Sequence, residues 1–224
     1  MTFLRWNRLP ALGAGLLVLA CGGSDGGGGT GPCTPGPATQ LAKNGGDAQS
    51  WYVNNPLPTP LSVIVRDANN CPVPGIVVNW AVGSGGGGVN PAQSTTSAAG
   101  VATTADSVGA TSPQTVTATF TGLAAPVTFT ATASAPPTSA AVSVNDNVFS
   151  PGSAVIQSGG MVTWTWAGQN THNLTFTGGP APQPLNEGNH GNGATAQRTI
   201  TTVGRYTYTC TNHFNMNGSV TVVH

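Results

Sequence analysis

The sequence predicts an all-β protein made of two β-sandwich domains in tandem. Charged residues are scarce: six Lys and Arg and six Asp and Glu among 224 residues, where an average protein carries about 25%. Gly and Pro, at 32 and 18 residues, disfavour helices. Hydrophobic and polar residues alternate over many short segments, which is typical of strands with one buried face. The composition excludes a charged disordered tail and a helical bundle. It also excludes nucleic-acid binding, because six scattered cations form no basic surface.

The first 20 residues have the pattern of an export signal. Arg5 and Arg8 precede an apolar run that is too short to span a bilayer as a mature helix. Leu-Val-Leu-Ala-Cys at 17–21 resembles the bacterial lipobox, in which the Cys is diacylated and becomes the new N-terminus. The resemblance implies a lipoprotein signal peptide over 1–20 and lipidation of Cys21. The alternative is an ordinary cleaved signal that leaves Cys21 as a plain thiol.

Residues 21–37 are predicted to be a glycine-rich tether. Seven of the ten residues from 22 to 31 are glycine, which is typical of a flexible linker. Two acyl chains on Cys21 would anchor this tether stably in a membrane. We therefore expect an exported cell-envelope lipoprotein, on the outer membrane or on a membrane surface that faces the periplasm.

The chain has four cysteines, at positions 21, 33, 71 and 210. If Cys21 is lipidated, three remain in an oxidising compartment. We expect a disulfide between Cys33 and Cys71, because both lie in the N-terminal half in turn-like contexts. Such a bond would contribute about 3–4 kcal/mol of stability. Cys210 then remains as a lone exported thiol, which requires a chemical reason.

Residues 38–134 are predicted to form the first sandwich, with about seven strands. Its features follow in an order that resembles bacterial Ig-like domains of group 1, the intimin/invasin type. The matching segments are 61–67, 72–80, 96–102, 115–119 and 127–131. The resemblance implies a spacer or an adhesive module. The run Gly83–Gly88 satisfies the dinucleotide-binding pattern G-x-G-x-x-G, but no helical periodicity follows it, so we interpret it as a hairpin loop.

Residues 138–224 are predicted to form the second sandwich, and they contain the chemically unusual residues. His172 shares one strand face with Leu174 and Phe176. Cys210, His213 and Met216 lie within seven residues, in a loop between two predicted strands. A thiolate, two imidazoles and a weak axial thioether form the donor set of blue-copper sites. His190 and His224 are interpreted as solvent-exposed residues in a loop and at the C-terminus.

This second region resembles a small Greek-key cupredoxin of the plastocyanin/amicyanin kind. The matching segments are 160–166, 170–176, 204–213 and 216–222. The resemblance implies a single type 1 copper ion with four ligands: His172, Cys210, His213 and Met216. It also implies a hydrogen bond from the Asn173 amide to the Cys210 sulfur. Asn212 and Phe214 replace the prolines that the family often has on either side of the second His.

The predicted function is single-electron transfer by a membrane-tethered blue-copper protein that is not an enzyme. A multicopper oxidase or a copper nitrite reductase needs more imidazoles than the four His of this chain. Copper storage or delivery, and an Ig-like adhesin with a structural copper domain, are the alternatives. We expect a monomer that docks an unidentified redox protein. The docking patch is expected near His213, from Phe214 and residues 178–184, with weak dependence on salt because charges are few.

Overall fold

The computed structural model describes residues 33–224, and every regular element in this range is a strand. The predicted signal peptide, Cys21 and most of the predicted tether lie outside the described residues. Between residues 33 and 224 there is no helix of the length and hydropathy needed to cross a membrane. The all-β fold class, with two sandwiches in tandem, is confirmed.

Nine strands form the first sandwich, which we define as residues 38–134. They are β1 (Ala38–Gly45), β2 (Gln49–Tyr52), β3 (Leu61–Asp67), β4 (Val77–Ser84), β5 (Gly87–Asn90), β6 (Gln93–Thr95), β7 (Val101–Val108), β8 (Gln114–Thr119) and β9 (Val127–Ser134). Their two sheets have the orders β1-β3-β7-β5 and β2-β9-β8-β4-β6. The apolar faces predicted from alternation, such as Leu61, Val63 and Val65 on β3, are buried between the sheets.

Nine more strands form the second sandwich, which we define as residues 139–223. They are β10 (Ser139–Asn145), β11 (Val148–Ser150), β12 (Ser153–Gln157), β13 (Gly160–Trp166), β14 (His172–Gly178), β15 (Glu187–His190), β16 (Thr195–Ile200), β17 (Gly204–Thr209) and β18 (Asn217–Val223). Their sheets have the orders β11-β10-β13-β16 and β12-β18-β17-β14-β15. The core between them is aromatic: the rings of Trp164 and Phe176 meet Tyr208 edge-on, with centroids 5.7 Å from its ring.

The sequence underestimates the number of strands in the first sandwich, because several strands are very short. β2, β5 and β6 have three or four residues each, too few for an alternating pattern to stand out from loop sequence. Each lies at the edge of its sheet. Their pairing is therefore set by neighbouring strands more than by their own side chains.

The interpretation of Gly83–Gly88 as a hairpin loop is wrong, although no helix follows these glycines. β4 and β5 belong to different sheets, so this run carries the chain from one sheet to the other. Gly85, Gly86 and Gly87 have φ between 75° and 83°, a range that disfavours side chains. A Cβ at Gly87 would lie 2.1 Å from the carbonyl oxygen of Ser107. The glycines are thus required by a sharp turn packed closely against backbone.

The cysteines of the described residues fall into two states. Cys33 and Cys71 are each disulfide-bonded, whereas Cys210 is a free and buried thiol. The mutual pairing of Cys33 with Cys71 stays a prediction from the sequence. The lone thiol is the one that the sequence singled out as needing a chemical role.

Asp67 organises the turn that ends β3. Its carboxylate accepts hydrogen bonds from the backbone N–H groups of Gly36, Cys71 and Asn69, each at 2.8 Å. These donors, Gly36 first, hold the pKa of Asp67 below its ordinary value against the opposing effect of burial. The ionised carboxylate is therefore the form that the fold requires.

We predict that Asp67→Asn removes part of the acid sensitivity of the fold. Because the folded-state pKa is lowered, the stabilisation by Asp67 is present above the unfolded value of about 3.9 and is lost as pH falls through the folded value. In urea unfolding, the free energy of unfolding of the variant should lie below that of the wild type at pH 7, and this difference should narrow below pH ~3.

Asp106 provides a control of opposite sign. Burial raises the pKa of Asp106, and the hydrogen bond from Gln114 only partly offsets this. Because its folded-state pKa is raised, ionisation of Asp106 with rising pH lowers the free energy of unfolding of the wild type. Asp106→Asn has no ionisable group at this position, so it should not show this loss as pH rises. A constant deficit of Asp67→Asn at every pH would contradict the electrostatic account of Asp67.

Candidate metal centre

His172, Cys210 and His213 converge because β14 and β17 are antiparallel neighbours in one sheet. His172 is the first residue of β14, and Cys210 directly follows the last residue of β17. The register pairs Thr175 with Thr209, so the start of β14 and the end of β17 meet at the same sheet edge. His213 lies in the loop that leads from β17 to β18.

The ligand atoms of these three residues lie within 4.8 Å of one another. The Sγ of Cys210 is 3.8 Å from Nδ1 of His172 and 3.5 Å from Nδ1 of His213. Metal bonds of about 2.0 Å to nitrogen and 2.3 Å to sulfur that meet at about 120° separate the two donor atoms by about 3.7 Å. The spacing therefore fits one ion between the three donors. A thiolate with two imidazoles is a copper or zinc donor set, and it matches the blue-copper plane.

The donors differ in their exposure to solvent. His172 and Cys210 are 0% and 1% exposed, whereas His213 is half-buried. The neighbouring Phe214 is 93% exposed. An ion held here would thus be shielded on the side of His172 and would approach the surface only through His213.

Met216 closes the loop and belongs to the same buried core as Cys210. Its carbonyl accepts hydrogen bonds from the Cys210 N–H at 3.0 Å and from the Thr209 hydroxyl at 2.9 Å. Its side chain is completely buried. The backbone thus brings Met216 back to Cys210, and the role of its thioether as fourth ligand stays a prediction.

The sulfur of Cys210 has a backbone donor. The N–H of Asn173 lies 3.4 Å from Sγ, which is within the range for hydrogen bonds to sulfur. The Asn173 side chain holds Thr211, accepting from its N–H at 2.9 Å and donating to its hydroxyl at 2.7 Å. Asn173 on β14 and Thr211 after β17 are therefore joined next to the Cys210 sulfur.

Asp146 is a site residue that the sequence analysis missed. Its Oδ1 is 3.1 Å from Nε2 of His172, the nitrogen that faces away from Cys210. The N–H of Asn170, the His172 ring and the N–H of Gln169 lower the pKa of Asp146 to about 2. A carboxylate on the distal nitrogen of a ligand His fixes the ring and raises its basicity.

Gly168 gives Asp146 the room it needs. A Cβ at position 168 would lie 2.5 Å from Oδ1 of Asp146. The sequence offered one signal for this residue: Asp146 and Glu187 are the only carboxylates between residues 138 and 224. Its contact with His172 spans 26 residues and could not be predicted from local pattern.

The other histidines lie outside the cluster. His190 is in strand β15, where the sequence predicted a loop, and its side chain is partly exposed. Its ring packs edge-on against Trp166 at 4.9 Å, and its Nε2 is 3.2 Å from Glu187. Arg198 also pairs with Glu187. His224 is exposed at the end of the chain, as expected.

Residues 137–223 match the family of copper binding proteins described as the plastocyanin/azurin family. Comparison with curated proteins found no match. Among solved structures, a purple cupredoxin from Nitrosopumilus maritimus is similar at 28% identity; the match covers 37% of this chain and 98% of that one, with a TM-score of 0.34.

Two further similar structures are an amicyanin and a plastocyanin. A reduced amicyanin mutant shares 26% identity over 38% of this chain and 81% of its own, with a TM-score of 0.35. A mutant plastocyanin of fern shares 28% identity over 37% and 98%, with a TM-score of 0.32. The family match, together with the His-Cys-His cluster, identifies residues 137–223 as a cupredoxin domain whose cofactor is copper.

Proposed function

We propose that this protein is a membrane-tethered blue-copper protein that carries single electrons through a type 1 copper centre. The observation that carries the proposal is the His172–Cys210–His213 cluster, whose donor spacing fits one ion. Met216 is the proposed axial ligand. When bound, copper would supply a one-electron Cu(II)/Cu(I) couple.

The protein's own residues favour electron transfer over copper delivery. His172 is held from both sides: Asp146 binds its Nε2, and its carbonyl accepts a hydrogen bond from Trp166 at 2.8 Å. Cys210 is buried and receives the Asn173 N–H. Donors that are held in place before the ion binds need little rearrangement between oxidation states, whereas ready release would need mobile or exposed donors.

A non-enzymatic role is part of the proposal. Within residues 33–224, one group of His, Cys, Asp and Glu side chains has the spacing to hold a metal ion. Copper oxidases and nitrite reductases need a second set of imidazoles, and the two histidines outside the cluster lie in β15 and at the C-terminus.

The proposed electron port is the half-buried His213, with Phe214 beside it. Phe214 and Leu185 are the most exposed large apolar side chains of the described residues, at 93% and 76%. Residues 138–224 carry Asp146, Glu187, Arg198 and Arg205, a net charge of zero. Docking of a redox protein would therefore rest on apolar contact more than on electrostatic steering.

The N-terminal half completes the proposal. We infer that Cys21 is lipidated, that the tether and an Ig-like first sandwich act as a spacer, and that the copper domain faces the periplasm or the cell exterior. The disulfide-bonded state of Cys33 and Cys71 supports an oxidising compartment.

We predict that Cys210→Ser abolishes the blue-copper signature. Cu(II) added to the full chain should give an intense visible thiolate-to-copper absorption and a narrow copper hyperfine splitting, both of which need the Cys210 thiolate. Optical and electron paramagnetic resonance spectra measure them, with His224→Ala as a control outside the cluster. A colourless wild-type protein with ordinary tetragonal copper would refute the proposal.

We predict that Asp146→Asn raises the reduction potential. The variant keeps an acceptor for His172 but loses the negative charge that favours the more positive oxidation state of the ion. Asp146→Ala should also weaken Cu(II) binding by about 10–100-fold, because the ring loses its support. Voltammetry and chelator competition measure the two effects. Glu187→Gln is the matched control, and an equal response there would sink the assignment to Asp146.

We predict that Cys21→Ala converts a membrane-associated protein into a soluble one, because the anchor is lost. Detergent phase partitioning of the protein expressed in bacteria measures this, with Ser24→Ala as the control. A wild-type protein that already partitions into the aqueous phase would disprove the lipid anchor.

A further inference from the structure

We propose that two asparagines, Asn212 and Asn189, position His213. Asn189 lies on the edge strand β15 and holds Asn212, the residue before His213. The inference rests on the proposed copper site. Asn212 directly precedes His213, and its Nδ2 donates to Asn189 Oδ1 at 2.9 Å and to the Thr171 carbonyl at 3.1 Å. These bonds join the ligand loop to β15 and to the residue before β14.

The backbone of His213 receives little support from its own loop. The loop's own bonds that involve its backbone are long, at 3.4 Å for both His213 N to Cys210 O and Met216 N to His213 O. Bonds of this length are at the weak end of the range. Within residues 33–224, Nε2 of His213 has no hydrogen-bond partner, whereas Nε2 of His172 binds Asp146. The place of the His213 backbone therefore depends on its neighbour Asn212.

Asn189 links Asn212 to the rest of the site. Its Oδ1 accepts from Asn212 Nδ2 and also from Asn173 Nδ2, at 3.2 Å. Asn173 is the residue whose backbone N–H reaches the Cys210 sulfur. Asn189 Oδ1 thus connects Asn173, beside the thiolate, with Asn212, beside the outer imidazole. Asn173 Nδ2 also donates directly to Asn212 Oδ1 at 3.3 Å.

The position of Asn189 in β15 explains how it reaches both partners. Among the strands of residues 33–224, β15 pairs only with β14, through His172 with His190 and Leu174 with Glu187, and the register shifts between these pairs. Asn189 lies at this irregularity, next to Asn173 on β14. A change of one residue in the β15 register would remove its side chain from the network.

The roles of the two amides are not equivalent, and this makes the inference testable. Asn189 acts as an acceptor, so Asn189→Asp keeps its function. Asn212 donates to Asn189 and Thr171 and accepts from Asn173 Nδ2 at 3.3 Å. Asn212→Asp keeps the acceptor but loses the donor that binds Asn189. Asn189→Ala and Asn212→Ala each remove the link. Asn192→Ala is the matched control, because this exposed asparagine of the next loop makes no side-chain hydrogen bond within the described residues.

The first measurement is amide hydrogen exchange of residues 211–215 in the copper-free full chain. We expect faster exchange in Asn189→Ala, Asn212→Ala and Asn212→Asp, and wild-type exchange in Asn189→Asp and Asn192→Ala. The double variant Asn189→Ala/Asn212→Ala should add little to Asn212→Ala, because Asn212→Ala already removes the bond to Asn189. Equal effects of Asn189→Asp and Asn189→Ala, or additive single effects, would overturn the proposal.

The second measurement is copper affinity by chelator competition. Loss of a residue that supports a ligand from outside the metal shell typically costs about 10–100-fold in affinity, and we expect at least a 10-fold loss for the three variants that lose the link. Thermal unfolding of the copper-free variants separates this effect from misfolding. Hydrogen exchange needs no copper, so it tests the link even if the Cys210→Ser experiment refutes a blue-copper site; unchanged affinity in Asn212→Ala would overturn the positioning role.

Discussion

The antiparallel pairing of β14 with β17 is the constraint on which the metal-binding cluster depends. It brings the first residue of one strand to the same edge as the residue that follows the other. His172 and Cys210 are 38 residues apart in the chain, yet their donor atoms lie 3.8 Å apart. The aromatic core beneath, with Trp164 and Tyr208 in edge-on contact, holds this sheet against the other. The cluster is thus a property of the sheet register, and the loop adds His213 to a preformed pair.

The scarcity of charge gives the few remaining charges large local effects. Asp146 stays ionised because it accepts hydrogen bonds from backbone N–H groups and from the His172 ring, which lower its pKa. Where many proteins would use ion pairs on their surface, this one uses amides and hydroxyls around the ligand loop. Such contacts are short-ranged and directional, which suits a loop whose position must be set without adding charge near the ion.

The fold and the three clustered donors could be predicted because their signals are local. Alternation in 61–65 and 160–166 marks buried strand faces without knowledge of their partners. The Cys210-x-x-His213-x-x-Met216 spacing places its members in one loop whatever the topology. Asp146, Asn189 and the strand that contains His190 were missed, because their contacts with the site come from chain segments separated by loops of glycine, proline and asparagine. The glycine run at 83–88 was misinterpreted because a turn within one sheet and a crossing between two sheets need the same type of residue.

By itself, the sequence determined the all-β class and the residue types of the metal-binding loop, because side-chain alternation and ligand spacing are properties of adjacent residues. The tertiary structure alone decided which carboxylate supports His172, which amides hold the loop, and how far each donor is shielded from water. Those features depend on strand order and register. In a β-sandwich, register brings together residues that are remote in the chain, and no local pattern specifies them.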